Sequence, residues 1–495
     1  MQKIKKMESP VSGTKLEELL DKLASKSTRD YINQCYEGDL LGFERTLRSD
    51  LDAIYNEICT QVLQKSAEEL LGELHEKASD SGLSKLQLRP IEVQISTGHV
   101  VEVSNYYGRK TSESFITNFE GEQRHSLALY WGLIGKTSPA YYDKVGLCTA
   151  ICPSYYISNQ LLKKFGISGC ISHNRDIMNK LGKYCKDKEE ELVIRGSDTL
   201  TGKRVVISAD GGRTRTRNYT GEMNEFDQAC YDTAWCEPKL FVIDVLNEKG
   251  QLEAHSQPIY GCRFDEQDFL DLLKRYLACL DIKNAKSIQI IADGAPWIWL
   301  NVKEILVKLG VEEDKIVETL DHCHAVGYVH DLVKAIPKET IELINDKIEQ
   351  NTLKGTAQQK QNDKLAEDTC TRACTRACTD YLKQFKEWLW AGKSDKIVTA
   401  CRAIFKEPSQ EINRWINYLD KHQHRTQYVD FKELKLLCGS GIVESAIRRI
   451  VNLKFKNAST FWDKETVEKL FFFRATLLSN RWEILIQNLA KSRFG

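Results

Sequence analysis

The stretch ISADGG sets Asp210 at the end of an apolar run and ahead of two glycines, and IIADGA repeats the arrangement at Asp293. A carboxylate at the end of a buried strand sits at the rim of a sheet, partly desolvated. Its charge is costly unless a cation or a donor meets it. Glycines directly after it let a ligand approach the backbone closely. Two such aspartates on neighbouring strands would offer hard oxygen ligands of the kind Mg²⁺ prefers. A third carboxylate is at hand in GSGIVESAIRRIVNLKFK, where Glu444 lies near the start of an apolar helix. Three carboxylates so arranged could hold two cations about 3.5–4 Å apart, which is the arrangement for phosphodiester chemistry. Each residue alone has a plainer reading. An aspartate before glycine is usually a turn residue or helix cap. Glu444 is spaced to pair with Arg448 one helical turn on, worth about 0.3–0.5 kcal/mol on a solvated face. The joint pattern of strand Asp, strand Asp, long helical stretch and helix Glu is what favours the cation site.

The elements needed to position these residues are legible in the patterning. Arg204–Asp210, KLFVIDVLN, SIQIIADG and KIVETLDHCHA read as buried strands, with a further short extended run after the Glu248–Gly250 turn. DEQDFLDLLKRYLACL reads as an amphipathic helix capped by Asp265. Pro296 suits the first turn of a helix that runs to Gly310. Residues 330–432 are polar, charged and helical, without a strand. Within them CTRACTRACT is a short duplication that sets Cys370, Cys374 and Cys378 on one helical face. It reads as slippage in an exposed helix, with metal binding as the alternative. In the last segment Val467, Leu470, Phe471, Arg474, Leu477 and Leu478 share one helix face.

The N-terminal part is of another kind. TKLEELLDKLASKS and NEICTQVLQKSAEELLGELHEKA carry apolar residues at helical spacing. PIEVQISTGHVVEVSNY alternates with a period of two around Thr97-Gly98, which predicts a β-hairpin. NQLLKKFGISGCISHNRDIMNKLG holds two short helical runs about Gly166–Gly169, the pattern of a helix-turn-helix whose second run could read a major groove.

Composition narrows the class. The 495 residues are 42% hydrophobic and 28% charged, ordinary for a soluble chain of several domains. No apolar run approaches the ~18 residues of a membrane span. The basic N-terminus lacks the apolar core of a secretory signal, so a cytoplasmic location is expected. The 16 cysteines are dispersed, as for reduced, buried thiols. Cys148 and Cys152 are spaced CxxxC without a second ligand pair, which argues against zinc. Lys plus Arg and Asp plus Glu both total 70. Basic residues are nonetheless concentrated from Glu444 onward and at Arg213, Arg215 and Arg217, so a basic groove is compatible with net neutrality.

ISADGGRTRTR with AWCEPKLFVI, IIADGAPWIW with the DxxH of Asp321 and His324, and the Gly439–Lys456 stretch with FWDKETVEKLFFFRATLLSNRW together resemble the bacterial insertion-sequence DDE transposases of the ISKra type. The resemblance spans roughly residues 200–490. It implies an α/β fold with an RNase H-like mixed sheet flanked by helices, a helical insertion before the catalytic Glu, and a mostly helical N-terminal DNA-binding region containing the hairpin. In these terms the chain divides into 1–89 (helical), 90–198 (hairpin and helix-turn-helix), 199–330 (catalytic, first part), 331–432 (insertion) and 433–495 (catalytic, second part). Asp210, Asp293 and Glu444 would be catalytic and hold two Mg²⁺ or Mn²⁺ ions. The activity implied is hydrolysis at the ends of an element and strand transfer into target DNA. Partners would be double-stranded DNA (terminal inverted repeats and target) and further copies of the chain at the nucleoid. Arg213, Arg215, Arg217, Trp297, Arg448, Arg449, Lys454 and Lys456 would meet DNA, with Asp321 and His324 in support. The three arginines also suit an edge strand guarded against pairing, and Trp297 and Trp299 also suit a core. Two alternatives stay open. One is an inactive or domesticated DNA-binding descendant; the other is an RNase H-like nuclease without strand transfer. CTRACTRACT departs from the family pattern.

Overall fold

The computed structural model describes residues 14–26, 29–110, 124–336, 379–456 and 461–493. The chain forms two compact units, residues 1–193 with 465–495, and residues 194–464. The segment 433–495, expected as one piece, is therefore shared between them. Cys370, Cys374 and Cys378 lie outside the described residues. No helix among the described residues is long and apolar enough to cross a membrane.

In the first unit, α1 (Thr14–Lys26), α2 (Arg29–Tyr36), α3 (Leu40–Glu69) and α4 (Leu71–Asp80) precede an antiparallel pair, β1 (Leu83–Gln94) and β2 (Val100–Lys110). Asp39 caps α3 by accepting from Gly42 N at 2.9 Å. The strands turn at Gly98, whose φ of +86° suits a residue without a Cβ. Alternation along them turns Val93, Val101 and Val103 onto Ala67, Leu74 and Ala78 of the helices. Then follow α5 (Ser126–Tyr130), α6 (Pro139–Ile151), α7 (Tyr155–Lys164), α8 (Ile171–Cys185) and α9 (Glu189–Val193). The pair α7 and α8 occupies the stretch read as a helix-turn-helix. Ile177, Met178 and Leu181 of α8 are buried, while Arg175, Asp176 and Lys183 are exposed.

The larger unit is built on a five-stranded mixed sheet. Its strands are β3 (Arg204–Gly211), β6 (Lys239–Leu246), β7 (Ile259–Arg263), β8 (Ser287–Ala292) and β9 (Ile316–Leu320), in spatial order β7-β6-β3-β8-β9. β6 runs antiparallel to β3 and β7, whereas β3, β8 and β9 are mutually parallel. Central β3 is buried from Val205 to Ala209, as a strand covered on both faces must be. Helix α10 (Glu266–Cys279), capped by Asp265 through Gln267 N and Asp268 N, lies on β6 and β7. Next to it, α11 (Pro296–Lys308) packs against α10 and β8.

After β9 comes the helical stretch: α12 (322–336), α13 (379–390), α14 (Ser394–Ile404), α15 (Gln410–Lys421) and α16 (Tyr428–Glu433). The chain then returns to the sheet in α17 (Gly441–Ile447), which packs on β3 and β6. A π-helical turn, Arg448–Asn452, joins α17 to α18 (Leu453–Phe455). Two further strands stand outside the main sheet, β4 (Thr214–Met223) and β5 (Ala229–Cys236). With β10 (Trp462–Asp463) they form a three-stranded sheet in which β4 is central. The arginines of β4 are therefore not on an edge strand.

Chain-terminal helices α19 (Lys464–Leu478) and α20 (Trp482–Leu489) belong, from Glu465 on, to the first unit. Burial on α19 runs from Leu470 through Thr476 without a break, so the helix is enclosed rather than one-faced. Arg474 is tolerated there because its Nη1 donates to Ala150 O at 2.6 Å.

Candidate functional site

Register decides which residues meet. The β3–β8 ladder ends at Ala209 opposite Ala292, and the β8–β9 ladder ends at Ala292 opposite Leu320. The residues that follow are Asp210, Asp293 and Asp321, one at the end of each of three adjacent parallel strands. Neighbouring strands lie about 4.8 Å apart, so the three backbones present aspartate in a row along one edge of the sheet. Alternation sets Val206, Ser208 and Asp210 on one face of β3. Val206 belongs to a cluster that includes Ile442 of α17, so this is the face on which α17 lies.

Asp210 is half-buried, and its Oδ1 accepts from Gly211 N at 2.7 Å. Burial first, then the negative charge of Asp293, push its carboxyl up to about 6. Glu444 adds to this, while Gly211 N–H and His324 oppose it. Asp293 is half-buried; its Oδ1 accepts from Ala295 N at 3.0 Å and its carbonyl from Trp299 Nε1 at 2.6 Å. Glycine is required beside it, because a Cβ at Gly294 would overlap the ring of Tyr418 from α15. The helical stretch thus reaches back over the strand end that carries Asp293. Glu444 is exposed on the first turn of α17.

Asp321 is of a different character. It is 1% exposed, yet every acceptor site it has is engaged. Oδ2 accepts from Ser440 N at 2.5 Å and Ser440 Oγ at 2.6 Å; Oδ1 accepts from His324 N at 2.7 Å and His324 Nδ1 at 3.1 Å. Burial pushes this carboxyl up, but the bonds from His324 and Ser440 outweigh it and hold the group well below the usual carboxylate range. His324 in turn is pushed up to about 9, chiefly by its bond to Asp321 and against its own burial, with the charges of Asp321, Asp293 and Asp210 adding. Ligand atoms of Asp321, His324 and Glu444 all lie within 4.8 Å of one another. Asp321 has both oxygens committed to donors and holds His324 in its cationic form, which leaves Glu444 as the member of that trio with ligating capacity. Asp321 instead ties the end of β9 to Ser440, the residue that opens α17.

The basic and aromatic candidates fall in different settings. Arg213 and Arg215 are exposed and flank Trp235, with guanidinium carbons 4.7 and 5.6 Å from its ring. Arg217 is half-buried between Tyr219 and Tyr231. Trp297 is half-buried, edge-on to Phe269 at 5.1 Å, with Lys239 Nζ 5.6 Å from its ring. Trp299 is in the core, under Arg425 at 4.3 Å. Arg448 and Lys456 are exposed. Arg449 reaches Tyr260 Oη at 2.9 Å. Lys454 corrects the expectation of a free phosphate contact. It is 1% exposed, with Nζ 4.9 Å from the Trp462 ring. Lys454 lies four residues after Ile450 and seven after Ile447, on the helix face that packs inward, so its burial follows from its place on that face.

Ser440 and Tyr418 were not singled out by sequence reasoning. Ser440 stands between two glycines, a place where a short side chain can bond to a neighbouring strand end; nothing local marks Tyr418.

No protein-family model matches the chain, and no curated protein matches it. Among solved structures, the chain is similar to one described as a Drosophila P element transposase strand transfer complex. That similarity has 15% identity and a TM-score of 0.34, and covers 70% of this chain and 93% of that one.

Proposed function

We propose that the chain is a DDE transposase. In this reading the five-stranded sheet is RNase H-like, and Asp210, Asp293 and Glu444 hold divalent cations for cutting and joining DNA. One observation carries the reading: Asp210 and Asp293 are the residues after the last paired positions of adjacent parallel strands, under the helix that bears Glu444.

Electrostatics support a cation there. An Asp210 carboxyl pushed up to about 6 by burial and by two like charges is a group that an oxygen-seeking cation would relieve. Mg²⁺ or Mn²⁺ bound by the three carboxylates would supply charge stabilisation and an activated oxygen nucleophile at a phosphodiester. Asp321 holds the opening of α17, and hence Glu444, against the sheet edge. His324, fixed through Nδ1 by Asp321, supplies positive charge beside Asp210 and Asp293 when protonated. Trp299 and Ala295 fix the carbonyl and carboxylate of Asp293. The exposed Arg213, Arg215, Arg448 and Lys456 are suited to phosphates of a duplex. Joining two ends of an element requires at least two such sites, so the active form is a multimer. In the first unit, α7 and α8 would contribute recognition of end sequences.

The test uses full-length chain, labelled duplex carrying the element end, and Mg²⁺ or Mn²⁺. Parent protein nicks the end and yields a strand-transfer product. Asp210→Asn, Asp293→Asn and Glu444→Gln each lose both by at least two orders of magnitude. Parent-like cutting by all three variants would remove the site from consideration, and nicking without any joined product would leave a nuclease in place of a transposase.

A further inference from the structure

The two strands β4 and β5 leave the main sheet four residues after Asp210 and return just before β6. Their root is closed by Gly212 N donating to Pro238 O at 2.7 Å. The two faces of this ribbon differ. Thr214 and Thr216 point inward and are fully buried, Thr214 Oγ1 donating to Phe455 O at 3.3 Å. By alternation the other face carries Arg215, Arg217 and Tyr219, set opposite Trp235, Thr233 and Tyr231 respectively. Phe461 joins it beside Arg215 at 5.4 Å. Tyr219, Tyr231 and Trp235 are 55%, 43% and 53% exposed, which is unusual for three large rings on one short ribbon.

We infer that this outer face is a stacking platform for an unpaired DNA strand led toward Asp210. Three observations favour that occupant. Guanidinium groups and rings alternate along the face: Arg213, Trp235 and Arg215, then Arg217 between Tyr219 and Tyr231. Such a face recognises a partner that is anionic and flat at each repeat, which describes a nucleotide with its base accessible. A duplex shields its base faces and would use the arginines but not the rings. Charge is complementary over the base of the ribbon. Among the described residues there, Asp463 lies in register opposite Arg217 and Glu237 stands at the root beside Gly211, two carboxylates against Arg213, Arg215 and Arg217. The acids Glu222, Glu225 and Asp227 lie at the far tip, and Asp232, paired with Asn218, faces the other way. Finally, same-face side chains on a strand recur about every 6.6 Å, roughly double the ~3.4 Å rise of a base-paired stack, so bases seated between them must be separated from one another.

The inference rests on DNA being the substrate, as proposed above, and adds which form of DNA the ribbon takes and which residues read it. The probes are a fluorescent dT 20-mer, a 20-mer of abasic sites with the same phosphates, and a 20-base-pair duplex. Binding to the full-length chain is followed by anisotropy in EDTA. The parent is expected to bind dT more tightly than the abasic strand. Trp235→Ala and Tyr231→Ala should each weaken dT binding by roughly 5- to 150-fold, the range for loss of one base–ring stack, with abasic binding unchanged. Trp235→Phe should retain most of the preference. These rings are exposed, and circular dichroism confirms that each variant is folded. Equal affinity of the parent for dT and abasic strands overturns the inference. So does an equal loss for both in Trp235→Ala, or loss of self-association in sedimentation with DNA binding intact, which would make a second copy the occupant. Ring-dependent dT binding without metal-dependent cutting sinks the catalytic reading alone, and cutting without ring dependence sinks this one alone.

Discussion

Replacing Asp321 by asparagine should loosen the start of α17 before it harms the rest of the sheet. The carboxylate is 1% exposed and accepts four hydrogen bonds, two from Ser440 and two from His324. Hydrogen bonds to a charged acceptor contribute about 1.5–3 kcal/mol each, and a buried donor left without an acceptor costs about 1–3 kcal/mol. Asparagine keeps one oxygen of similar shape and turns the other into a donor, so one pair of bonds survives in weakened form and the other is lost. The net expectation is about 2–4 kcal/mol, a sizeable share of the 5–15 kcal/mol typical of a folded domain. Amide exchange read by mass spectrometry on the peptide spanning 438–447 is the direct assay. Opening should rise by roughly 30- to 700-fold, at 1.4 kcal/mol per tenfold. Ser440→Ala should cost about 1 kcal/mol, and the double variant less than the sum, because the two share a bond. The pH dependence carries a defined sign. A carboxyl held well below its unfolded value near 3.9 stabilises the fold above that value, and the contribution is lost as pH falls toward the folded value. The parent should therefore lose protection of this peptide in acid, and the asparagine variant should lack that step. Unchanged exchange at 438–447, with stability within about 0.5 kcal/mol of parent, would refute the tie between β9 and α17.

Three further outcomes follow from the same geometry. In EDTA at neutral pH, Asp210→Asn should be more stable than parent by about 1–3 kcal/mol. A carboxyl raised to about 6 destabilises the fold progressively as pH rises from about 4 to 6, and the asparagine removes that burden. Denaturant melts at pH 4 and pH 7.5 check this, and Mn²⁺ should stabilise parent but not the variant. Lys454→Ala should lower stability by about 2–4 kcal/mol through loss of a buried side chain seated against Trp462. Lys456→Ala should leave stability within about 0.5 kcal/mol and reduce the salt slope of duplex binding by about one.

Sequence periodicity was sufficient for the main sheet because its strands are buried on both faces and read as unbroken apolar runs, as VVISA and IQIIA do. Caps at Asp265, Pro296 and Gly310 were legible for a similar reason: each satisfies a local backbone need. The ribbon β4–β5 was only half visible. Its arginines alternate, but its pairing with Trp462–Asp463 joins residues about 245 apart, beyond what any local window contains. Position at the rim marked Asp210 and Asp293. Their being neighbours depended on strand order, which no short motif encodes. Asp321 showed itself as part of DxxH, whereas its attachment to Ser440 spans 119 residues. Lys454 was misassigned because its charge was read ahead of its place on the inward face shared with Ile447 and Ile450.

The helical stretch between Asp321 and Ser440 leaves and re-enters at one point. His322 N donates to Cys438 O at 2.9 Å, and the Gln289 side chain clasps both Leu437 N and Leu437 O from the adjacent strand. Its two ends are stapled together on the sheet rather than on each other's helices. Away from that neck the stretch also lies on the strand ends, through Tyr418 over Gly294, Arg425 against Trp299 and Glu318, and Tyr428 Oη donating to Leu320 O, so strain passes inward through the neck and through these contacts. A lineage of such proteins could remodel the parts of this appendage that make none of these contacts while inheriting the neck and the sheet beneath it unchanged.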